Sequence, residues 1–406
     1  MIAGVDKNWL RFAAENQPEF KELVYVKSAL TNPFEVSELL DDAIRTGANK
    51  DPDSLRIRAF SGHAFDYSVT SALSFSEMGA SESACEWLER VAEDPAVCVA
   101  INGVSAWSLP LSRWAQKIID ILIPDIYASQ HANADVYTFV GNTGWTPFGI
   151  HRDSEPSLIF HLGPSNKDVW VWPEGCLDDS QGFWRNPSFG SPLGFDVEKH
   201  LSRAWHRTLR PGDFVCVPPG AYHVFRNLGP AAFIGIALYP LKGDKFIRET
   251  LNRAVFGPAG VDGELISLKQ TFENALGRFD TMAELRRDSH VEMDRSLMMR
   301  RTAGYQDKPN LAAIARRTLD DSCRLRWEFE GVVAASHIAG TTELIIRGQS
   351  IKFARPLDFE SLCQMSTIQS DFGLVDLTEL MPEELPTRDR SIVAQRLYDY
   401  GAISTT

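Results

Sequence analysis

The sequence predicts an α+β protein built on a central antiparallel sandwich or barrel, with helix-rich segments on either side. Three observations carry this. Between about 135 and 240 the apolar runs become short and β-rich, punctuated by Gly, Pro and Asn. The first 130 residues or so mix helix and strand signals. From about 245 the pattern turns helical and Leu/Met-rich, and a smaller mixed segment follows about 330.

In order along the chain, Glu22–Val26 reads as a short strand. Asn32-Pro33 then opens a helix, with Asn at the N-cap and Pro where a missing N–H costs nothing. A second helix runs through Trp114, Ile118, Ile121 and Leu122, apolar at i, i+4, i+7 and i+8. VYTFV (136–140), SLIFHL (157–162), DVWVW (168–172), DFVCVP (213–218) and AAFIGIALYP (231–240) read as strands. A long insertion, about Pro173 to Trp205, reads as a surface loop near a cavity mouth. MAELRRDSHVEMDRSLMMRR (282–301) and NLAAIARRTLDD (310–321) read as helices, TELIIRGQSIKFARP as a hairpin and SIVAQRLYDYGAI as a final helix. These textures divide the chain into 1–245, 246–330 and 331–406.

The chain has 406 residues, 44% hydrophobic and 23% charged, which excludes disordered and coiled-coil classes and leaves ample length for a buried core. The formal net charge of -13 repels a phosphate backbone, so nucleic acid is disfavoured as a partner. No window approaches the roughly 18–20 apolar residues of a membrane span, and the first residues lack the pattern of a signal peptide. The six cysteines are scattered with no CxxC, as expected of buried thiols in a reducing compartment. A cytoplasmic protein is expected.

Two of the nine histidines stand apart by context. His151 and Asp153 form His-x-Asp in TPFGIHRDSEP, and on an extended strand residues i and i+2 share a face. His223 follows Pro-Gly-Asp and Pro-Pro-Gly turns in LRPGDFVCVPPGAYHVF. Two imidazoles and a carboxylate on a small β-barrel suit a non-haem Fe(II) site, with one face of the octahedron filled by protein and three positions open. A lone His-x-Asp is a weak signal, and the turn-flanked second His strengthens it.

The segments TPFGIHRDSEPSLIFHLGPSNKDVWVWPEG and LRPGDFVCVPPGAYHVFRN resemble the JmjC/cupin-type Fe(II)- and 2-oxoglutarate-dependent oxygenases. The likeness covers about residues 130–240. The layout of core, helices and a small winged-helix-like end is similar to the bacterial ribosomal-protein hydroxylase branch. The resemblance implies a double-stranded β-helix (jelly-roll) core, iron held by His151, Asp153 and His223, and 2-oxoglutarate and O2 as cosubstrates. It implies Lys167 as the cation for the distal carboxylate, one residue later than the family spacing, so that a slipped turn at Gly163–Asn166 is expected. The other reading of Lys167 is a solvated loop lysine. Tyr137, Thr138, Thr146 and Ser157 are candidate hydroxyl donors, Asn227 a candidate partner behind the distal His, and Arg226 the alternative cation. Arg152 is a candidate for a substrate carboxylate or a surface ion pair. Trp172, sharing a face with Trp170, is read either as core or as substrate channel, and His161 as structural.

Three function classes follow. The first is a hydroxylase of an amino acid, peptide or protein side chain that releases succinate and CO2. The intact Asp153 favours it over halogenation, and the chain's acidity suits a basic substrate. The second is a cupin dioxygenase that does not use 2-oxoglutarate, although those usually bind metal through three His. The third is a non-catalytic binding protein with a vestigial triad. In similar proteins a segment like 246–330 dimerises, so a homodimer is expected.

Overall fold

The computed structural model describes residues 5–15, 20–62, 64–93, 96–124, 131–173, 175–177, 197–240, 246–251, 282–310, 317–338, 340–367 and 371–406. These fall into two compact units. The first holds the described residues through Tyr239, together with Gln306–Asn310. The second holds the described parts of Pro240–Tyr305 and Arg317–Thr406.

The first unit opens with α1 (Lys7–Glu15), β1 (Val24–Val26) and α2 (Pro33–Lys50). It continues through β2 (Ile57–Ser61), β3 (Ala64–Phe65), α3 (Tyr67–Ser74), α4 (Ala84–Val91), β4 (Val97–Ile101) and α5 (Leu109–Leu122). Strands then dominate: β5 (His131–Gly141), β6 (Gly144–Trp145), β7 (Ser157–Pro164), β8 (Lys167–Val171), β9 (Trp205–Leu209), β10 (Phe214–Val217), β11 (His223–Asn227) and β12 (Ala231–Pro240). Pro33 starts α2 with Asn32 at the N-cap position, but the Asn32 side chain makes no capping hydrogen bond. On α5, Trp114, Ile118 and Leu122 are buried as the periodicity predicts, whereas Ile121 of the same stripe is only half-buried and Ile119 is buried in its place.

Two sheets result. One has the order β1-β10-β7-β12-β5-β4-β2-β3, the other β6-β11-β8-β9. Their inner faces share one apolar cluster: Ile159 and Phe233 from the first sheet pack with Val169, Val171 and Phe225 from the second. The outer face of β7 and β10 is covered by helices, with Trp9 of α1 and Trp114 of α5 set 5.5 Å and 5.8 Å from the Phe160 ring. Strand β7 is therefore buried on both sides, which is why it reads as a continuous apolar run. The outer face of the smaller sheet carries its own cluster of Ile150, Trp170, Trp172, Tyr222 and Val224.

Two turns fix the strands around the future site. Gly212 has φ +92, and a Cβ there would stand 2.9 Å from the Leu30 carbonyl oxygen, so this turn needs glycine. Asp213 holds the same turn, its carboxylate accepting from the backbone N–H groups of Ser28 and Arg210 and from the Tyr25 hydroxyl. Gly220, with φ +76, donates its N–H to the Asp153 carbonyl at 2.7 Å and ties the Pro-Pro-Gly turn to the His-x-Asp segment.

In the second unit, Thr341–Ile346 and Gln349–Phe353 form the expected hairpin and Thr387–Asp399 the final helix. A helix spans Met282–Thr302, and its Arg295 makes a two-pronged pair with Glu343 at 2.5 Å and 2.7 Å. Of the helix expected over 310–321, residues 311–316 lie outside the described residues, and Arg317–Asp320 carry no regular structure. Most of the insertion at 173–205 and residues 252–281 likewise lie outside them. Among the described residues no helix is long and apolar enough to cross a membrane.

Candidate metal centre

His223 is the first residue of β11, and His151 faces it across an isolated antiparallel bridge. The pairing is closed by His151 N–H to the His223 carbonyl at 3.1 Å and His223 N–H to the His151 carbonyl at 2.8 Å. The backbone itself thus brings together two imidazoles that lie 72 positions apart in sequence. Their ring centroids are 4.2 Å apart.

Each ring is turned the same way. His151 Nδ1 lies 3.0 Å from the Gly149 carbonyl oxygen, and His223 Nδ1 lies 3.0 Å from that of Ala221. A carbonyl only accepts, so both Nδ1 atoms carry the proton and both Nε2 lone pairs are left free. Both lone pairs point to Asp153, whose Oδ2 lies 3.9 Å from His151 Nε2 and 3.6 Å from His223 Nε2. The three candidate donor atoms all lie within 4.8 Å of one another. Ligands about 2.1 Å from one ion and at right angles to each other sit roughly 3 Å apart, so closure needs shifts of up to about 2 Å. Burial, reinforced by the neighbouring His151, depresses the His223 pKa to about 4, and Asp153 opposes this only in part. His223 is therefore neutral at pH 7, the state a metal requires.

The triad opens on a cavity of about 110 Å³. Tyr137, Thr138, Thr146 and Ser157 line it, as does Phe148 beside the His151 ring. Ser157 donates to Asp153 Oδ2 at 3.5 Å, and the Tyr137 hydroxyl is hydrogen-bonded to Ser157. Thr138 and Thr146 direct their protons elsewhere, to the carbonyls of Phe233 and Phe225 at 2.6 Å and 3.2 Å. Both hydroxyls thus tie strands together from the cavity wall.

Lys167 opens β8 immediately after the Ser165–Asn166 turn, and it is not solvated: its exposure is 0%. It is paired in register with Asn227 and points into the space between the sheets. Among the described residues its Nζ has no hydrogen-bond partner, and it rests 4.4 Å from the Phe233 ring centroid and 5.9 Å from that of Phe225. Both rings line the cavity. Burial lowers its pKa to about 8. Asn227 is buried beside it and its Oδ1 is also unpartnered.

Three other sequence candidates are placed away from the cavity. Arg152 and Arg226 are exposed, with their guanidinium groups over Tyr222 and Trp145. Arg226 alternates with inward-facing Phe225 and Asn227, so the strand's pleat turns it outward. Trp172 packs in the outer cluster and donates its Nε1–H to the His200 carbonyl at 3.0 Å, which fits the core reading and not the channel one. His161 is fully buried, with Nε2 on the Ser165 carbonyl, and is not in the triad.

The cavity also contains groups the sequence did not single out: Arg58, Asn102, Glu155 and Tyr239. Arg58 lies on β2, far upstream of any motif, where it reads only as one polar residue in an apolar strand. Glu155 stands two residues past Asp153, and its carboxylate is hydrogen-bonded to Ser154 and to Tyr239.

Against solved structures, the chain is similar over its full length to a ribosomal oxygenase of Escherichia coli, YcfD. The TM-score is 0.52 at 13% identity, with 100% of each chain covered. The complex of that protein with cobalt and 2-oxoglutarate matches with a TM-score of 0.50 at 14% identity over 99% of each chain. Its complex with cobalt and succinic acid matches with a TM-score of 0.50 at 12% identity. The shared feature is the fold. No family model and no curated protein matches the chain.

Proposed function

We propose that the chain is an Fe(II)- and 2-oxoglutarate-dependent oxygenase that hydroxylates an aliphatic C–H of an amino acid, peptide or protein side chain. The observation that carries this is the pairing of two features in one barrel. His151, Asp153 and His223 present three converging donor atoms, and Lys167 is a buried cation without a hydrogen-bond partner among the described residues. A lone metal triad serves many chemistries. A fully buried ammonium group with no counter-ion is costly unless a ligand supplies one, and an anionic cosubstrate does so.

The donor set fits the metal: two neutral imidazoles and one carboxylate leave one face of an octahedron open and favour Fe(II). Bound there, iron and 2-oxoglutarate would supply the oxidising power, with succinate and CO2 as by-products. The chain's own residues do the rest. The Gly149 and Ala221 carbonyls lock the imidazole tautomers, Ser157 orients Asp153, and Lys167 with Asn227 anchors the far carboxylate. Phe148, Phe225 and Phe233 keep water from the reacting atoms.

The Escherichia coli protein of the same fold is described as a ribosomal oxygenase, and a basic protein segment would be drawn to a chain of net charge -13. A cytoplasmic homodimer belongs to the same reading, and a monomeric mass at micromolar concentration would remove that part. The central test is anaerobic addition of Fe(II) and 2-oxoglutarate to the purified chain, followed by oxygen. A visible charge-transfer band and oxygen-dependent succinate release are expected, and His151→Ala or Asp153→Ala should abolish both. Iron binding without any dependence on 2-oxoglutarate would point instead to a cupin dioxygenase of another kind.

A further inference from the structure

The cavity wall has a second cation. Arg58 and Phe60 lie at i and i+2 on β2 and share the face turned to the cavity. Arg58 lines it directly, and Phe60 packs 5.5 Å from Phe148, another lining residue. The guanidinium is aimed by a relay that ends on the Asp135 carboxylate, whose charge favours the cation without touching it. Asp135 accepts the Gly103 N–H at 2.8 Å and the Asn102 amide at 2.5 Å, and the Asn102 carbonyl oxygen in turn accepts from Arg58. Asp135 is thus spent on Asn102 and Gly103, and among the described residues Arg58 makes no ion pair. Burial disfavours its charge and pulls its pKa down. A guanidinium has five donors in a planar fork suited to a carboxylate, and among the described residues only one of them is engaged, by Asn102.

This cation is not a duplicate of Lys167. Lys167 sits against Phe233 of β12, and β2 lies three strands away from β12 in the same sheet. Arg58 lines the open cavity and feels the charge of Asp135, whereas Lys167 lies against the Phe225 and Phe233 rings near Cys98 and Cys85, so the two cations have different surroundings. We propose that Arg58, oriented by Asn102 and Asp135, anchors a carboxylate of the substrate and so restricts the substrate to carboxylate-bearing amino acids or peptide residues. The proposal rests on the oxygenase reading and names its substrate class. The carboxylate has two sources, the α-carboxylate of a free or C-terminal residue or the side chain of Asp or Glu.

The test uses the full chain loaded with Co(II) and 2-oxoglutarate, so that no turnover is needed. Visible-spectrum changes and thermal shifts are recorded with three sets of probes: free L-amino acids, the corresponding α-amides, and N-acetyl amides of Asp and Glu. Binding of free acids but not amides assigns the α-carboxylate, whereas binding of the acidic N-acetyl amides assigns a side chain. Arg58→Met should weaken the binding probes roughly 10- to 100-fold, the range for charge-assisted hydrogen bonds. It should leave 2-oxoglutarate affinity within about twofold, and Arg58→Lys should restore part of the loss. Asn102→Ala, which keeps the cation and removes only its aim, gives an intermediate loss and covers the case in which Arg58→Met fails to fold. The proposal is wrong if uncharged amides bind as well as acids, if no probe binds, or if Arg58→Met weakens 2-oxoglutarate instead. Failure of the wild-type chain to bind 2-oxoglutarate is scored separately against the oxygenase reading, with the amino-acid probes then read by thermal shift alone.

Discussion

Lys167 couples the protein's stability to its proposed chemistry. Its pKa of about 8 in the folded chain lies below the ordinary 10.5 for lysine. The unfolded chain therefore binds more protons between these values, and stability rises with pH across that window. Below pH 8 the side chain is charged in both states and the cost of burying it is fully present. Lys167→Met should accordingly stabilise the ligand-free chain at pH 7 by about 1–3 kcal/mol, read by denaturant unfolding, while raising the 2-oxoglutarate requirement at least tenfold. For the wild type, affinity for 2-oxoglutarate should be flat below pH 8 and fall by up to tenfold per pH unit above it, because a neutral amine offers no charge to the carboxylate. Titration calorimetry between pH 6.5 and 9.5 checks this, and a flat profile removes Lys167 from the cosubstrate site. At this scale the sequence was informative where a residue sat in a local motif. His151, Asp153 and His223 were marked by spacing and by flanking turns. Arg58 was not, because its significance lies in which sheet face it occupies and in the guanidinium donors left open to the cavity, neither of which leaves a trace in the order of residues.

The elements that hold these side chains depend on close approaches between strands. Gly235 on β12 is one of them: a Cβ there would stand 2.3 Å from the Tyr137 ring carbon that bears the hydroxyl. The Tyr137 ring lies against the backbone of β12, and no larger residue leaves room for it. Gly235→Ala should force the ring aside, at an overpacking cost of about 1–3 kcal/mol, and break the hydrogen bond between Tyr137 and Ser157 that stands behind Asp153. The expected outcome is a lower midpoint in urea and weaker metal affinity together. Loss of stability with unchanged metal affinity would show that Tyr137 does not support the triad. The strands buried on both faces, β7 and β12, were legible as apolar runs. Strand β9 was not, since His206, Arg207 and Thr208 are exposed at the sheet edge and carry no alternation. The two-residue β6 offers too little sequence to read.

On the scale of the whole molecule, the first unit is completed by residues that lie more than sixty positions beyond its last strand. The Gln306 amide donates to the Ser112 carbonyl at 3.1 Å and to Gln116 at 2.9 Å, both on α5. The Asn310 N–H reaches the Ala106 carbonyl at 2.7 Å, and its side chain reaches Asp51 at 3.3 Å. Asp307 pairs with Arg56 beside them. Nothing in the composition of this stretch marks the return, because a few polar residues reaching back to one unit have no periodicity to display. The consequence is physical: Gln306 is buried, so its partners Ser112 and Gln116 lose its hydrogen bonds if it is truncated. Gln306→Ala in the full chain should cost about 1–3 kcal/mol. For a unit of this size that lowers its melting transition by roughly 2–10 °C. A transition belonging to the second unit, whose core of Leu325, Trp327, Phe359 and Leu397 does not include Gln306, should stay in place. Differential scanning calorimetry of the wild type and the variant separates the two cases. If both transitions fall together, the units unfold as one and the return segment is a shared strut. If only the first falls, the barrel that carries the triad owes part of its stability to a stretch of chain that truncation near residue 245 would remove.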